Sequence, residues 1–337
     1  MDDNISLDKN QEILDLINEK IRFRKICNTT GIMTLIAGIF FFVFSLTLAA
    51  GIRWILKSLP HLPDNVDSVP NSIYGGLINL IAIGILGAVF VKINQKGQQE
   101  QLPVNKIGFP TFISLMVIGF TVCMLSNYMT SLFLSNVYDL GINLYHSTSS
   151  QPQESFIEIF FYTLTVAAVP AISEEILFRG AILSALRKHS DGFAILISSL
   201  IFGLFHGNFV QFPFAFIVGL VLSWLVVYTN SMLPAIAVHF ANNLFSVICD
   251  LLSKNALLWN LNINIFNFFI NLFVITLAIM SIFCAKKLSA KDRVFLSLNK
   301  YQGNMDRNDI RREFFKSPGI WAALVFLSVQ TISNHIL

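Results

Sequence analysis

Residues 156–187 read FIEIFFYTLTVAAVPAISEEILFRGAILSALR. The hydrocarbon core of a bilayer, about 30 Å thick, takes about 20 apolar residues per helical span, and this run is long enough to cross it. Yet Glu174, Glu175 and Arg179 sit well inside it. Each such charge costs about 2.5–3.5 kcal/mol to insert on translocon scales, so three together need compensation. Glu175 and Arg179 are four residues apart and share a helix face, where they can pair. Glu174 precedes Glu175 by one residue and points about 100° away around the helix. One carboxylate is thus expected on Arg179 and the other turned toward a cavity. A carboxylate of that kind can act as a general base, but the same residues also suit an inter-helix ion network or a proton relay. Glu158, nearer the outer end of the run, reads as interfacial.

The rest of the chain shares this apolar character. Of 337 residues, 54% are hydrophobic and 13% charged, against about 25% charged in soluble domains, and mean hydropathy is +0.65. The chain reads as an all-α, polytopic integral-membrane bundle. A net charge of +3 gives no reason to invoke nucleic acid. Apolar runs near 31–52, 74–91, 108–134, 156–187, 193–210, 212–229, 232–252 and 261–285 give eight spans, and 318–337 is a candidate ninth. Residues 11–25 carry Ile13, Leu14, Ile17 and Ile21 at helical spacing, as an amphipathic helix at the membrane surface would. With the N-terminus inside, 19 of the 23 Lys and Arg are cytoplasmic, Arg53, Lys57 and Lys254 are outside, and Arg179 is within a span. The positive-inside rule therefore favours a cytoplasmic N-terminus, and the Ile-, Asn- and Phe-rich composition suggests a bacterial cytoplasmic membrane. The basic stretch 286–317 suits either a stop-transfer flank or contact with anionic lipid heads. No basic region leads into an apolar run at the N-terminus, so no cleavable signal peptide is expected, and SNHIL at the C-terminus is no lipidation box. Cys27, Cys123, Cys249 and Cys284 form no CxxC pair and give no disulfide or zinc framework.

Two further elements stand near the first. Phe202-Gly-Leu-Phe-His206 stacks Phe202 and His206 on one face, with Ser199, Gly203 and Gly207 as a small-residue stripe beside them. His239, Asn242, Asn243, Ser246 and Asp250 make one polar stripe along the next-but-one span, which lipid would not face. Asn264, Asn267 and Asn271 read instead as hydrogen-bond glue between helices. If the three elements lie mid-span, they meet at one depth. Two chemistries fit them. In one, Glu174 and His206 polarise a water for attack on a carbonyl while His239 and Asn243 donate to the oxyanion. In the other, His and Glu side chains ligate zinc, a weaker fit because there is no His-Glu-x-x-His helix and Arg179 is close.

Glu174-Glu175-x-x-x-Arg179, Phe202-x-x-x-His206 and His239-x-x-x-Asn243, in that order on three apolar runs, resemble the three motifs of the CPBP superfamily, the type II CAAX prenyl endopeptidases and bacterial Abi or bacteriocin-processing proteins. The resemblance covers residues 156–252. It implies a helical intramembrane endopeptidase of the glutamate type with no catalytic metal or other cofactor. Glu174 and His206 would activate the water, Glu175 and Arg179 would orient the site, and His239 and Asn243 would form the oxyanion hole, Asn243 being preferred to Asn242 as the i+4 match. It also implies a substrate that is a peptide or the tail of a membrane-associated protein, cut near the cytoplasmic face. The competing readings are a non-catalytic bacteriocin-immunity or binding protein and a proton-coupled transporter. The chain divides into a cytoplasmic segment 1–30, N-terminal spans 31–155, the core 156–252, and a C-terminal region 253–337 holding one span, the basic stretch and the last apolar helix.

Overall fold

The computed structural model describes residues 2–58, 75–98, 102–141, 156–254, 262–292, 298 and 303–336. The side chains of Lys9, Arg53, Lys57, Lys96, Lys254, Arg293 and Lys300, all used in the charge count, lie outside the described residues, as do positions 74, 261 and 337 at the ends of expected spans. The helices are α1 (Asp2–Ser58), α2 (75–98), α3 (Phe109–Asp139), α4 (Phe156–Arg187), α5 (Asp191–Phe205), α6 (Phe212–Thr229), α7 (Leu233–Lys254), α8 (Ile263–Lys291), α9 (Arg307–Phe315) and α10 (Pro318–Ile336). Among the described residues there is no strand, only an isolated bridge between Val104 and Ser231. The protein is an integral-membrane helical bundle. Seven helices are long and apolar enough to cross a membrane, or eight if α9 and α10, bent by 68° at their junction, count as one span.

Three expectations change. The run 193–210 is not a span: α5 stops at Phe205 after 15 residues, about 22 Å of rise. Gly207, at φ +65°, takes the left-handed conformation that closes helices. Gly207 is therefore not part of the small-residue stripe. Ser199 does pack closely, since a Cβ on Gly219 of α6 would come within 3.0 Å of it. Secondly, segment 11–25 is not a separate surface helix but continues into the first span as α1. Ile13, Leu14, Ile17 and Ile21 stay exposed on it, while Phe23 and Cys27 are buried against the C-terminal helices and the α4–α5 turn. Thirdly, Asn264, Asn267 and Asn271 are exposed on α8 and, among the described residues, join no helices together. α8 lies at the edge of the bundle and meets α3, where Thr121 donates to the Leu277 carbonyl at 3.2 Å.

The segments that the charge count assigns to one side lie together. Phe23 packs at a tilt on His189, and Phe193 meets Phe314 edge-on. Arg187 donates to Asn230, Met232 N–H to the Pro103 carbonyl and Tyr228 to Asp292. α1 and α10 cross where a Cβ on Gly31 would fall 2.2 Å from the Gly319 backbone, so only glycine permits that approach. Asn28 accepts from the Gly319 N–H there. Lys20 pairs with Asp309, and Arg24 and Lys316 pair with Glu313. Three helix starts have a local cause: Ser190, Asn262 and Asp306 cap α5, α8 and α9 through their side chains, satisfying otherwise orphan N–H groups.

Candidate active site

α4 is not a regular helix. It is π-helical over Leu164–Ala168 and again over Ile176–Leu183. The first π turn ends just before Pro170, whose missing N–H and ring clash break the α ladder. The second begins directly after Glu175. Carbonyls along it are taken up by side chains: Ser198 donates to Phe178, Ser184 to Arg179 and Asn94 to Ala181, at 2.9–3.0 Å. π turns are rare and concentrate at functional sites. The sequence reads 156–187 as a single span with a kink possible at Pro170, and does not give the two π turns. Pro170 was the available signal for the first, while the second carries none in its residues.

Glu175 and Arg179 are both fully buried, with Arg179 Nη1 2.8 Å from Glu175 Oε1. Nη2 donates to the Gly219 carbonyl of α6 at 3.2 Å. The guanidinium carbon stands 4.5 Å from the centroid of the Phe202 ring, a cation–π contact that gains strength where water is excluded. The same Glu175 oxygen accepts from His239 Nδ1 at 2.9 Å. His239 Nε2 lies 3.8 Å from Glu174 Oε2, and that oxygen is buried without a hydrogen-bond partner, although the Glu174 side chain keeps 14% exposure. Glu175 is thus shared by a cation and a histidine, while Glu174 faces the far edge of the same ring.

Phe202 is the hub around which these groups are arranged. Arg179 covers it, and His206 and His239 each meet it edge-on, with centroids at 4.9 and 5.9 Å. Phe178 also packs on it. The sequence offered Phe202 only as a stacking partner of His206. His206 caps α5 rather than standing mid-span, and its Nδ1 is 2.8 Å from the Phe202 carbonyl. A carbonyl only accepts, so Nδ1 carries the hydrogen and Nε2 of the neutral ring has its lone pair free. Asn334 of α10 donates to the adjoining Gly207 carbonyl at 2.9 Å.

In the α7 stripe, Asn242 is buried and donates to Asn243 Oδ1 at 3.2 Å, leaving its own Oδ1 unpartnered. Lower in the stripe Ser246 bonds the Asn242 carbonyl and Asp250 accepts from Tyr162 of α4 at 2.8 Å, so that end serves packing. Glu158 is half-buried in the first turn of α4. Among the described residues, no group of three or more His, Cys, Asp or Glu side chains could hold a metal ion. The four cysteines are free thiols, Cys27 and Cys123 buried.

Residues 156–245 match the family model described as type II CAAX prenyl endopeptidase Rce1-like. The chain is 27% identical over 216 residues, 60% of its own length and 84% of the relative's, to the membrane-embedded CAAX protease MroQ of Staphylococcus aureus. No solved structure matches the chain.

Proposed function

We propose that the chain is a membrane endopeptidase of the CPBP and CAAX protease kind, as its similarity to the Rce1-like family model and to MroQ supports, and that Glu174 and His206 activate a water for attack on a peptide carbonyl. Glu174 supplies the base. Its Oε2 accepts no hydrogen bond from the described residues and has His239 Nε2 3.8 Å away, while the neighbouring Glu175 is neutralised by Arg179 and bonded by His239 through its Oε1. That asymmetry between adjacent carboxylates is the observation that carries the reading: one is spent on structure and the other is open to a water. His206 Nε2 accepts from the same water.

His239 takes the oxyanion role. Its Nδ1–H is committed to Glu175, so Nε2 donates only if the ring carries both hydrogens. The cationic ring then balances the second carboxylate, giving two negative and two positive charges in the site. Asn243 adds an amide donor from the next turn, with its oxygen fixed by Asn242. Preorganised donors of this kind contribute about 3–4 kcal/mol each to the transition state. The proton taken by Glu174 goes to the leaving amine as the tetrahedral adduct collapses. His239 stands six residues past Leu233 on α7, about 9 Å of rise from the end that gathers the basic segments. The substrate is a peptide or the tail of a membrane-associated protein entering from that end, which is the cytoplasmic one with the N-terminus inside.

The test is Glu174→Gln. This variant keeps the shape and removes the base, so cleavage should fall about 10²–10⁴-fold with melting unchanged. Membrane and secreted peptide profiles of cells expressing equal amounts of the two proteins will show a product missing only in the variant. Identical profiles sink the glutamate mechanism.

A further inference from the structure

At the end of the bundle that carries the basic segments, away from the site, α5 and α9 enclose a half-open cavity of about 690 Å³, within the usual range of ligand sites, about 300–1,000 Å³. Its wall is apolar: Phe193, Leu196, Leu298, Met305 and Ile310. Leu196, half-exposed, stands five residues beyond Asp191 on α5, about 7.5 Å along the helix. The rim is charged differently. Arg307 and Arg311, one turn apart on α9, line it with Asp306, whose carboxylate is already engaged in capping the helix through the Asp309 N–H at 2.6 Å.

The two faces of α9 contrast. Toward α1, Asp309 and Glu313 take up Lys20, Arg24 and Lys316. Toward the cavity, among the described residues, no side chain pairs with Arg307 or Arg311. A cationic rim beside an apolar groove, at the boundary of a membrane bundle, matches an amphiphile with a phosphate head and a hydrocarbon chain. We propose that this cavity binds one anionic phospholipid, the two guanidinium groups holding the phosphate and the groove of Phe193, Leu196 and Ile310 taking the first part of an acyl chain. Arginine suits the head because its planar fork donates two hydrogen bonds to a phosphate. The occupied site ties α9, and through it the bent α9–α10 pair, to α5.

The probes are dioleoyl phosphatidylglycerol and dioleoyl phosphatidylcholine, titrated into the full chain in neutral detergent while the thermal midpoint is followed. A ligand that binds only the folded state raises that midpoint. Phosphatidylglycerol should raise it at lower concentration than phosphatidylcholine does. The double variant Arg307→Gln/Arg311→Gln should need about thirtyfold more phosphatidylglycerol for the same rise, about the effect of two basic groups at a lipid surface, with its lipid-free midpoint unchanged. Leu196→Trp, which fills the groove and keeps both arginines, should also weaken the lipid effect. Equal effects of the two lipids, or a phosphatidylglycerol effect that survives in the double variant, would overturn the proposal. If glycerol 3-phosphate alone reproduces the rise, the cavity is an anion site and not a lipid site. None of these readouts depends on catalysis, so they stand apart from the Glu174 experiment.

Discussion

Two clusters of acidic and basic side chains hold this molecule together, and they obey different physics. At the rim, Lys20, Arg24 and Lys316 meet Asp309 and Glu313, and every basic member keeps some contact with solvent. In the bundle, Glu175 and Arg179 have no exposure at all and share a histidine, a carbonyl and an aromatic face. Exposed pairs contribute about 0–1 kcal/mol each, because water and salt screen them. A buried pair gains little net stability over an apolar core, yet removing one partner costs about 3–5 kcal/mol. The rim cluster is a clasp that pins α9 to α1. The inner cluster is a device retained for its charges, since an apolar pair would pack as well.

The sharpest way to break this contrast is Arg179→Met. It leaves Glu175 charged and buried, and should cost about 3–5 kcal/mol, read as a large drop in the thermal midpoint in detergent along with lost cleavage. A variant that melts like the wild type would show that the inner pair is no ion pair. Phe202→Leu comes next. It removes the cation–π contact and the edge contacts of two imidazoles, and should cost about 2 kcal/mol, with both charges left in place.

Acid separates the regions by pH. His189, between α4 and α5, is pushed down to about 4 by burial and by the neighbouring Lys188 and Arg22. The unfolded ring takes its proton near 6.5 and the folded one does not, so stability is full above 6.5 and declines as pH falls toward 4. Asp309 is held low chiefly by its hydrogen bond to Lys20. Burial pushes Glu313 up, but Arg24 and Lys316 outweigh it and hold the carboxyl below its usual range. Their contribution is full above about 4 and is lost below it. Midpoints measured from pH 7 to 3 should therefore fall in two windows, and His189→Phe should flatten the upper one alone. The smallest effect is Glu313→Gln, about 1 kcal/mol, since its carboxylate is buried but its partners Arg24 and Lys316 are half-exposed, shrinking further in 1 M salt, where screening acts within about 3 Å. An equal loss at all salt concentrations would place Glu313 with the inner cluster.

The bundle was legible because membrane insertion demands long apolar runs, and the chain supplies them. The site elements were legible because charge and amide groups in such runs are costly and stand out. Less legible was everything set by one residue's backbone. Gly207 ends α5 and makes His206 a cap, yet in the sequence it looks like the last member of a small-residue stripe. Asn264, Asn267 and Asn271 show the reverse limit: polarity inside an apolar run does not say which way it faces. Phe202 was in view from the start, but one of 32 phenylalanines gives no sign of being a hub until three helices converge on it.

The second π turn of α4 bears on what lengths of this segment are permitted. A π turn accommodates more residues per hydrogen-bonded loop than an α turn, so the segment after Glu175 behaves as an α-helix that has absorbed an insertion. Deleting one residue within 180–183 removes that insertion, so the stretch should relax to α geometry with 174–175 and 184–187 keeping their relative facing. A second deletion would find no bulge to absorb it and would turn one side by about 100° relative to the other. With 184–187 anchored by the turn into α5, Glu174 and Glu175 would then swing away from His239 although neither had been altered. In this stretch, chain length itself is under the same constraint as the identity of the charged residues.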